Sequence, residues 1–292
     1  MSSILWGLAG AVLIGASDCI ARITAQKVAL SILFLSIMGL SLLTLTVGFM
    51  VTMNWPAWHP AAWGASALSG LLNLVALYFL YRALARGPVA VASPAASTFT
   101  VLLVALNIAV GEPWSWMQIV AIVLVFTGVA MLAKPSSIDA DKQHYDARWL
   151  RRTALFGLAA ATAVAVRMFF AQEASSELGA LDALYLNRLF ALIGAIAMVL
   201  YVLSQSTHLK WPTGRIRNLV FLQAMLETAA LGAFLVGSAN GGRVSATIGF
   251  SAFAAATALF AWWWLGERIG WQRSVWIAVT GMGVLLAATS AP

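Results

Sequence analysis

The chain contains one long segment twice. When the sequence is shifted by 155 positions, Gly87–Ala133 aligns with Gly242–Ala288 without a gap, and ten of the 47 aligned positions are identical. In each copy a glycine opens an apolar run, a Gly-Glu pair ends it, and a second apolar run carries a Gly-Val pair near its end. Similarity at a fixed internal spacing indicates a duplication. The sequence therefore predicts a fold built from two related halves.

The composition predicts a membrane as the solvent. The chain is 62% hydrophobic and 9% charged, against roughly 25% charged residues in a soluble domain. A run of about 20 apolar residues spans a bilayer as a helix, since lipid forces every backbone hydrogen bond to form within the segment. Ten such runs occur: Ile4–Ala21, Leu30–Met53, Trp63–Leu84, Val89–Val110, Trp116–Ala133, Ala154–Ala171, Ala183–Leu203, Leu219–Ala239, Val244–Leu265 and Trp271–Ala288.

The basic residues predict the orientation. Of the 17 Lys and Arg residues, 14 lie in or beside the loops after runs 1, 3, 5, 7 and 9. The positive-inside rule places these loops in the cytoplasm and both termini on the other side. The longest loop, Lys134–Arg152, is then a cytoplasmic connection between the halves 1–133 and 153–292. Tryptophans near many run ends are typical of membrane interfaces, and the first run is expected to be a retained helix rather than a signal peptide.

The number of runs in each half predicts their relative direction. A half with five helices crosses the membrane an odd number of times, so the second half is inverted relative to the first. Inverted repeats are typical of transporters in which a site near the bilayer midplane opens alternately to either side. The predicted fold is an all-α polytopic membrane protein with ten transmembrane helices arranged as two inverted five-helix repeats.

These features resemble a known family. Ten helices as five plus five, Gly-Glu after the fourth helix of each half, Gly-Val near the end of the fifth, and the segment Arg82–Val89 are similar to the EamA family of the drug/metabolite transporter superfamily. The resemblance covers nearly the whole chain and implies transport of a small polar metabolite. It also implies that helices 1, 3, 4, 6, 8 and 9 line a central cavity. It does not identify the substrate.

Glu227 is the most notable ionisable residue, because it lies near the centre of the eighth run. A charge at that depth costs several kcal/mol unless it is paired or hydrated. We predict that Glu227 couples transport to protons or binds a substrate amine. The alternative is a structural hydrogen bond or ion pair with a neighbouring helix.

Other charged residues in the runs have two interpretations each. Asp18 could anchor a substrate or form an interfacial pair with Arg22, four residues further on the same helix face. Arg167 could hold a substrate carboxylate, or reach lipid headgroups or Glu173. Arg188, six residues into the seventh run, is expected to contact lipid or Asp182.

Polar and aromatic residues complete the predicted site. Asn73, Tyr78 and Tyr81 lie on the third run, and aromatic rings with a polar tip suit a wall that grips a cationic or amphipathic solute. Tyr78 is the predicted site residue of the two tyrosines, and the alternative is packing or the interfacial aromatic belt. Pro94 and Gly249 occupy corresponding places in the two copies, and interrupted helices at such places point to a binding site. Both are predicted hinges, although small residues there also suit close helix packing. The remaining candidates lie beside them: Ser97, Thr98, Phe250 and Ser251. Glu112 and Glu267 are expected to be structural residues at helix ends.

The sequence gives little support to other functions. It has no Walker motif, its three histidines lack zinc-site spacing, and no nucleophile elbow occurs, so we expect neither an enzyme nor a cofactor. The basic loop residues suit anionic lipid headgroups rather than nucleic acid. The expected partners are a small-molecule substrate and membrane lipids, with the protein a monomer or homodimer.

The prediction is a secondary transporter for an amino acid or similar metabolite, working by alternating access in a bacterial-type inner membrane. A quaternary ammonium transporter is one alternative, which would use the acids and aromatic rings and leave arginine outside the cavity. A non-transporting scaffold or lipid-carrier accessory is another, and it would have no hydrated cavity at Glu227.

Overall fold

A computed structural model describes residues 3–86, 96, 98–132, 147–205, 209–239, 242–265, 271, 275–276, 278–279, 281–283 and 286. Within these ranges the chain is helical, and no β-strand is found there. We number the helices in chain order: α1 Ser3–Lys27, α2 Leu30–Thr52, α3 Pro60–Arg86, α4 Phe99–Ala109, α5 Trp116–Leu132, α6 Ala147–Leu178, α7 Ala180–Ser204, α8 Gly214–Ala239, α9 Arg243–Phe250 and α10 Phe253–Leu265.

Seven spans in the described part of the chain are long and apolar enough to cross a membrane. Six of them fall in α1, α2, α3, α6, α7 and α8, and the seventh joins α9 and α10 across a short break. Two shorter apolar helices, Phe99–Ala109 and Trp116–Gly128, lie in the fourth and fifth predicted runs. The first nine predicted runs therefore contain helices, whereas half of the tenth lies outside the described residues.

Large apolar side chains face outward, and small residues fill much of the interior. Leu43, Val51 and Trp263 are more than half exposed, as expected for side chains whose solvent is lipid. Alanines such as Ala11, Ala161 and Ala224 are fully buried where helices cross. Neighbouring helices therefore approach each other closely, and polar side chains from different helices can come into contact.

The helices pair across the two halves of the sequence. Helix α1 packs against α8, α9 and α10, while α3 packs against α6 and α7, and α4 against α6. Helix α2 contacts both α7 and α8. The first and sixth predicted runs thus each pack mainly on the half to which they do not belong.

Glycines bring α1 into backbone contact with its neighbours. A Cβ added at Gly7 would lie 2.1 Å from the Ala246 carbonyl oxygen of α9, and one at Gly15 would lie 2.8 Å from the Thr257 nitrogen of α10. On the other side of the same crossing, a Cβ at Gly249 would lie 2.3 Å from the Ile4 carbonyl oxygen. Any side chain at these positions would force the helices apart.

Replacing Gly7 by alanine is therefore expected to lower the free energy of unfolding by about 1–3 kcal/mol, the usual cost of overpacking. Gly48→Ala on α2 is the matched control, because a Cβ there meets nothing within 4 Å and alanine favours a helix. The measurement is the thermal unfolding midpoint of each purified variant in one detergent. Equal midpoints for Gly7→Ala and Gly48→Ala would contradict the close crossing.

Candidate functional site

A cavity of about 80 Å³ lies inside the helix bundle, large enough for several water molecules. Its described wall comes from α1, α3, α6, α7, α8, α9 and α10, with Phe99 at the start of α4 and Ala96 three residues before it in the sequence. Most of that wall is apolar. The polar residues on it are Asp18, Asn73, Arg167, Arg188 and Glu227.

Glu227 is 7% exposed and lies in the middle of α8. Its Oε1 accepts hydrogen bonds from the Tyr81 hydroxyl at 3.2 Å and from Gln223 Nε2 at 3.4 Å. Gln223 is one turn before Glu227, and Tyr81 reaches the acid from α3. The carboxyl group is therefore held by neutral donors while it faces the cavity, and it stays available to a cation or a proton.

Asp18 places a second carboxyl group on the wall, from α1. The Thr257 hydroxyl of α10 is 3.5 Å from its Oδ2. Asp18 and Glu227 thus belong to one cavity, although they are far apart in sequence. The two carboxyl groups can bind a cationic group of a solute, while Arg167 and Arg188 on the same wall offset their charge.

Arg167 has unused donor capacity. Its Nε and Nη1 atoms are buried and have no hydrogen-bond partner among the described residues. The Ser69 hydroxyl donates to the backbone carbonyl of Arg167 at 2.7 Å, which holds α6 against α3 without using the guanidinium. Glu173, the acidic partner considered for Arg167, is instead bound by Arg243. A buried guanidinium with open donors suits a carboxylate ligand.

The sequence did not identify Arg188 as a site residue. It is 2% exposed and lies on the cavity wall rather than facing lipid. Its Nη1 is 3.5 Å from the Met38 sulfur, and its Nη2 donates to the Glu227 carbonyl oxygen at 3.2 Å. Arg188 shares a helix face with the buried Leu184 and Ala191, four residues before it and three after. That face could have indicated an inward-pointing side chain.

Phenylalanine rings form another part of the wall. The predicted residue Phe250 contacts Phe99 and Phe253, with ring centroids 6.2 Å apart in both pairs. Phe99 and Phe253 themselves lie 5.7 Å apart, and all three rings line the cavity. Such rings can cover the apolar part of a solute or the face of an organic cation.

The other predicted residues have different surroundings. Asn73 lines the cavity, and its Nδ2 is 3.7 Å from the Met38 sulfur. Tyr78 lies outside the described wall, with the Arg82 guanidinium 5.1 Å from its ring centroid.

The predicted residues next to α4 are described only in part. Thr98 directly precedes α4. Pro94 and Ser97 fall outside the described residues, as does Glu267.

The ninth predicted run is broken near Gly249. Helix α9 ends at Phe250, α10 begins at Phe253, and the Ser251 hydroxyl bonds to the Ile248 carbonyl oxygen at 2.6 Å. The break follows the predicted hinge residue by two positions. Gly249 itself lies at the close crossing with α1, which agrees with the packing interpretation of this glycine, and its role as a hinge stays a prediction.

Comparison with known proteins identifies the family. The model of the EamA-like transporter family matches residues 1–134 and again 151–289. This chain belongs to the EamA-like transporter family. It is accordingly a multi-pass membrane protein of a family of small-molecule transporters, and the two matches agree with the duplication seen in the sequence.

A solved structure supports the fold of this EamA-like chain. The structure, described as "Crystal structure of protein", shares 14% sequence identity and a TM-score of 0.77, over 98% of this chain and 97% of the other. At this identity the similarity shows the fold alone. No curated protein matches the chain.

One end of the EamA-like bundle is closed by polar contacts between helices. Arg243, which begins α9, lies 3.1 Å from Glu112 after α4 and also binds Glu173 of α6.

Uncharged side chains make further contacts nearby. Asn107 donates to Gln172 at 3.1 Å, and Gln172 donates to Ser238 at 3.0 Å. Gln118 donates to Ser245 at 3.0 Å. We call these charged and uncharged residues together the end network. The contacts join the two family-matched halves, so Glu112 does more than hold its own turn.

Replacing Arg243 by glutamine is expected to loosen this end of the transporter. The ion pairs are partly exposed, so their loss costs about 0.5–1 kcal/mol and opens the end roughly two- to fivefold more often. The measurement is the rate of maleimide labelling at Ser175→Cys in a Cys19→Ser background, since Ser175 is 2% exposed. The exposed Arg217→Gln variant is the control. An unchanged rate in Arg243→Gln would show that the end network does not close the bundle.

Proposed function

We propose that this protein is a secondary transporter for a small metabolite that carries both an amine and a carboxylate, such as an amino acid. The observation that carries the proposal is one cavity that holds two carboxyl groups, Asp18 and Glu227, together with the open guanidinium donors of Arg167. The acids suit the amine, and the guanidinium suits the carboxylate. The phenylalanine rings accommodate the apolar remainder of the solute.

The charged residues on the cavity wall also rank the alternative functions. A quaternary ammonium solute fits Asp18, Glu227 and the three phenylalanine rings through charge and cation–π attraction, and it is the second candidate. It leaves the Arg167 donors without a role inside the cavity, so the zwitterionic solute accounts for more of the wall. A scaffold or lipid-carrier accessory requires no such cavity, and the polar wall gives it less support.

The proposed mechanism is alternating access between inverted repeats. The two family matches and the cross-half helix pairs support it, because α1 on α8 and α6 on α3 are equivalent contacts when the halves exchange places. The proposal includes ten transmembrane helices, a cytoplasmic connection at 134–152 and both termini on the opposite side. The end network then lies on the non-cytoplasmic side, and the location is a bacterial-type inner membrane.

The experiment is a solute panel applied to the purified transporter. Thermal stabilisation and proteoliposome flux are measured for amino acids, for the corresponding amines without a carboxylate, and for quaternary ammonium ions. A ligand that binds the folded state raises apparent stability. The proposal expects stabilisation and flux with amino acids, and loss of both when the carboxylate is absent. Binding of quaternary ammonium ions alone would favour the second candidate, and flux of none of these solutes would reject both.

A further inference from the structure

A line of hydrogen bonds connects the cavity acid to the far part of α1. The Thr24 hydroxyl donates to Gln223 Oε1 at 2.7 Å, Gln223 Nε2 donates to the Tyr81 hydroxyl at 2.7 Å, and that hydroxyl donates to Glu227 Oε1 at 3.2 Å. The line passes from α1 to α8, then to α3 and back to α8. We call Thr24, Gln223 and Tyr81 the relay residues.

The hydrogen bonds of the relay residues all run in one direction, from a donor on one residue to an acceptor on the next. Thr24 and Gln223 are fully buried, and Tyr81 is 1% exposed, so water cannot readily replace any partner. Each relay residue uses a donor toward the next, and the line ends on a carboxyl group that only accepts when ionised. Burial makes each missing partner costly. The side-chain orientations are therefore interdependent.

We infer that Tyr81 is a positioning residue for Glu227, and that Thr24 fixes Tyr81 through Gln223. This inference rests on the proposed function, because it assigns the residues that orient the amine-binding acid of the same site. Tyr81, rather than Tyr78, holds Oε1 of the carboxyl group so that the acid faces the cavity. The phenol is itself held against Phe34, with ring centroids 5.6 Å apart.

The inference has a mechanical consequence for α1. Thr24 belongs to the last turns of α1, whereas Gln223 and Glu227 belong to α8. Moving the Thr24 end of α1 away from α8 would break the Thr24–Gln223 bond and leave Gln223 held only by its own donor contacts to Tyr81 and Glu227. The set of contacts that orients Glu227 is therefore complete only while α1 is seated on α8.

The charged groups around Glu227 must stay unchanged if an effect on its titration is to be assigned to a lost hydrogen bond. The charged groups that act on Glu227 are Arg188 from α7, Arg167 from α6 and Asp18 from α1, and Tyr81 is the titratable neighbour from α3. The test variants change none of these charges. A change in the titration of Glu227 can then be assigned to the loss of a relay contact.

The test uses four single variants of the full-length protein. Tyr81→Phe removes only the hydroxyl, and Tyr78→Phe is its control on the same helix. Thr24→Val removes the α1 donor, and Thr24→Ser restores a hydroxyl at that place. Hydrophobic carbodiimide labels carboxyl groups in membrane proteins, and peptide mass spectrometry measures labelling at Glu227 across a pH series. This readout requires no transported solute.

Tyr81→Phe is expected to change the half-labelling pH of Glu227 by about one unit, the effect of one lost hydrogen bond to a charged group. Thr24→Val acts on Glu227 only through Gln223, so it should change the half-labelling pH in the same direction by a smaller amount. The double variant Thr24→Val/Tyr81→Phe should change the half-labelling pH of Glu227 by less than the sum of the two single changes, because both substitutions interrupt the same line of hydrogen bonds. Tyr78→Phe and Thr24→Ser should match the wild type. Where the wild type binds an amino acid, Tyr81→Phe should raise Kd about three- to tenfold with little change in maximal flux.

Two results separate this inference from the proposed function. A wild-type labelling profile in both Tyr81→Phe and Thr24→Val overturns the positioning role, whatever the protein transports. A changed profile in a protein that binds none of the panel solutes supports the positioning role and rejects the proposed substrate class. Additive effects in the double variant would show that Thr24 acts through the direct Gln223–Glu227 contact rather than through Tyr81, and would contradict the link from Thr24 to Tyr81. If Tyr81→Phe fails to fold, Thr24→Val and its serine rescue decide the question alone.

Discussion

Replacing Glu227 by glutamine is expected to abolish the part of solute uptake that a pH gradient drives. Glutamine keeps the size of the side chain and an oxygen for the Tyr81 hydroxyl, but it cannot exchange a proton. The proposed coupling acid is thereby removed with little change in packing. Uptake in the presence of the pH gradient should therefore fall to the level measured without the gradient, while uptake down the solute's own concentration gradient remains.

The measurement is uptake of the best panel solute into proteoliposomes with and without a pH gradient. Glu177→Gln is the matched control, since it removes an exposed carboxyl group that belongs neither to the cavity wall nor to the end network. Its gradient response should resemble that of the wild type. Equal gradient-driven flux in the wild type and Glu227→Gln would reject the coupling role of Glu227.

Replacing Arg167 by glutamine is expected to weaken binding of solutes that carry a carboxylate. A hydrogen bond to a charged group contributes about 1.5–3 kcal/mol, so Kd should rise roughly 10- to 150-fold. The corresponding amine has no carboxylate to lose, and its weak binding should change little. The difference between the two solutes isolates the guanidinium contact from general damage to the cavity.

Isothermal calorimetry in detergent measures both dissociation constants. Arg152→Gln is the control, because Arg152 lies on the same helix but is exposed near its start. An equal loss of affinity for amine and amino acid would show that Arg167 shapes the cavity without contacting the carboxylate. Unchanged affinity for both would remove Arg167 from the site.

The helical spans could be predicted from the sequence because lipid imposes one solution on a long apolar run. Individual side-chain directions could not be predicted as reliably. Tyr78 and Tyr81 are three residues apart on α3, and the choice between them depends on how the helix is rotated against its neighbours. Asn73, Leu77 and Tyr81 share a buried face at spacings of four. Extending that face from Asn73 would have pointed to Tyr81.

The partners of the charged residues depend on contacts between distant segments. Glu173 is close in sequence to Arg167, yet Arg243 binds it from α9. Arg188 is near Asp182 in sequence, yet it reaches Met38 and the Glu227 backbone. Local spacing favours neighbours along one helix, whereas the fold brings α2, α8 and α9 closer. Asp18, Asn73, Arg167, Glu227 and Phe250 line one cavity, and their role in binding a substrate stays a prediction. The sequence marked only Glu227 by its depth in a run, whereas Asp18 and Arg167 were left open between a site and an interfacial role.

The glycine crossings of α1 imply that the mechanical units of the molecule differ from its evolutionary units. Gly7 and Gly249 bring the backbones of α1 and α9 into contact, and Gly15 does the same for α1 and α10. No side chains separate these helices at the crossings, so the helices cannot slide along one another there. The amino-terminal helix is thus clamped to segments from the far end of the sequence. Any rigid body that includes α9 must carry α1 with it, so the moving parts are interleaved assemblies of both ancestral copies.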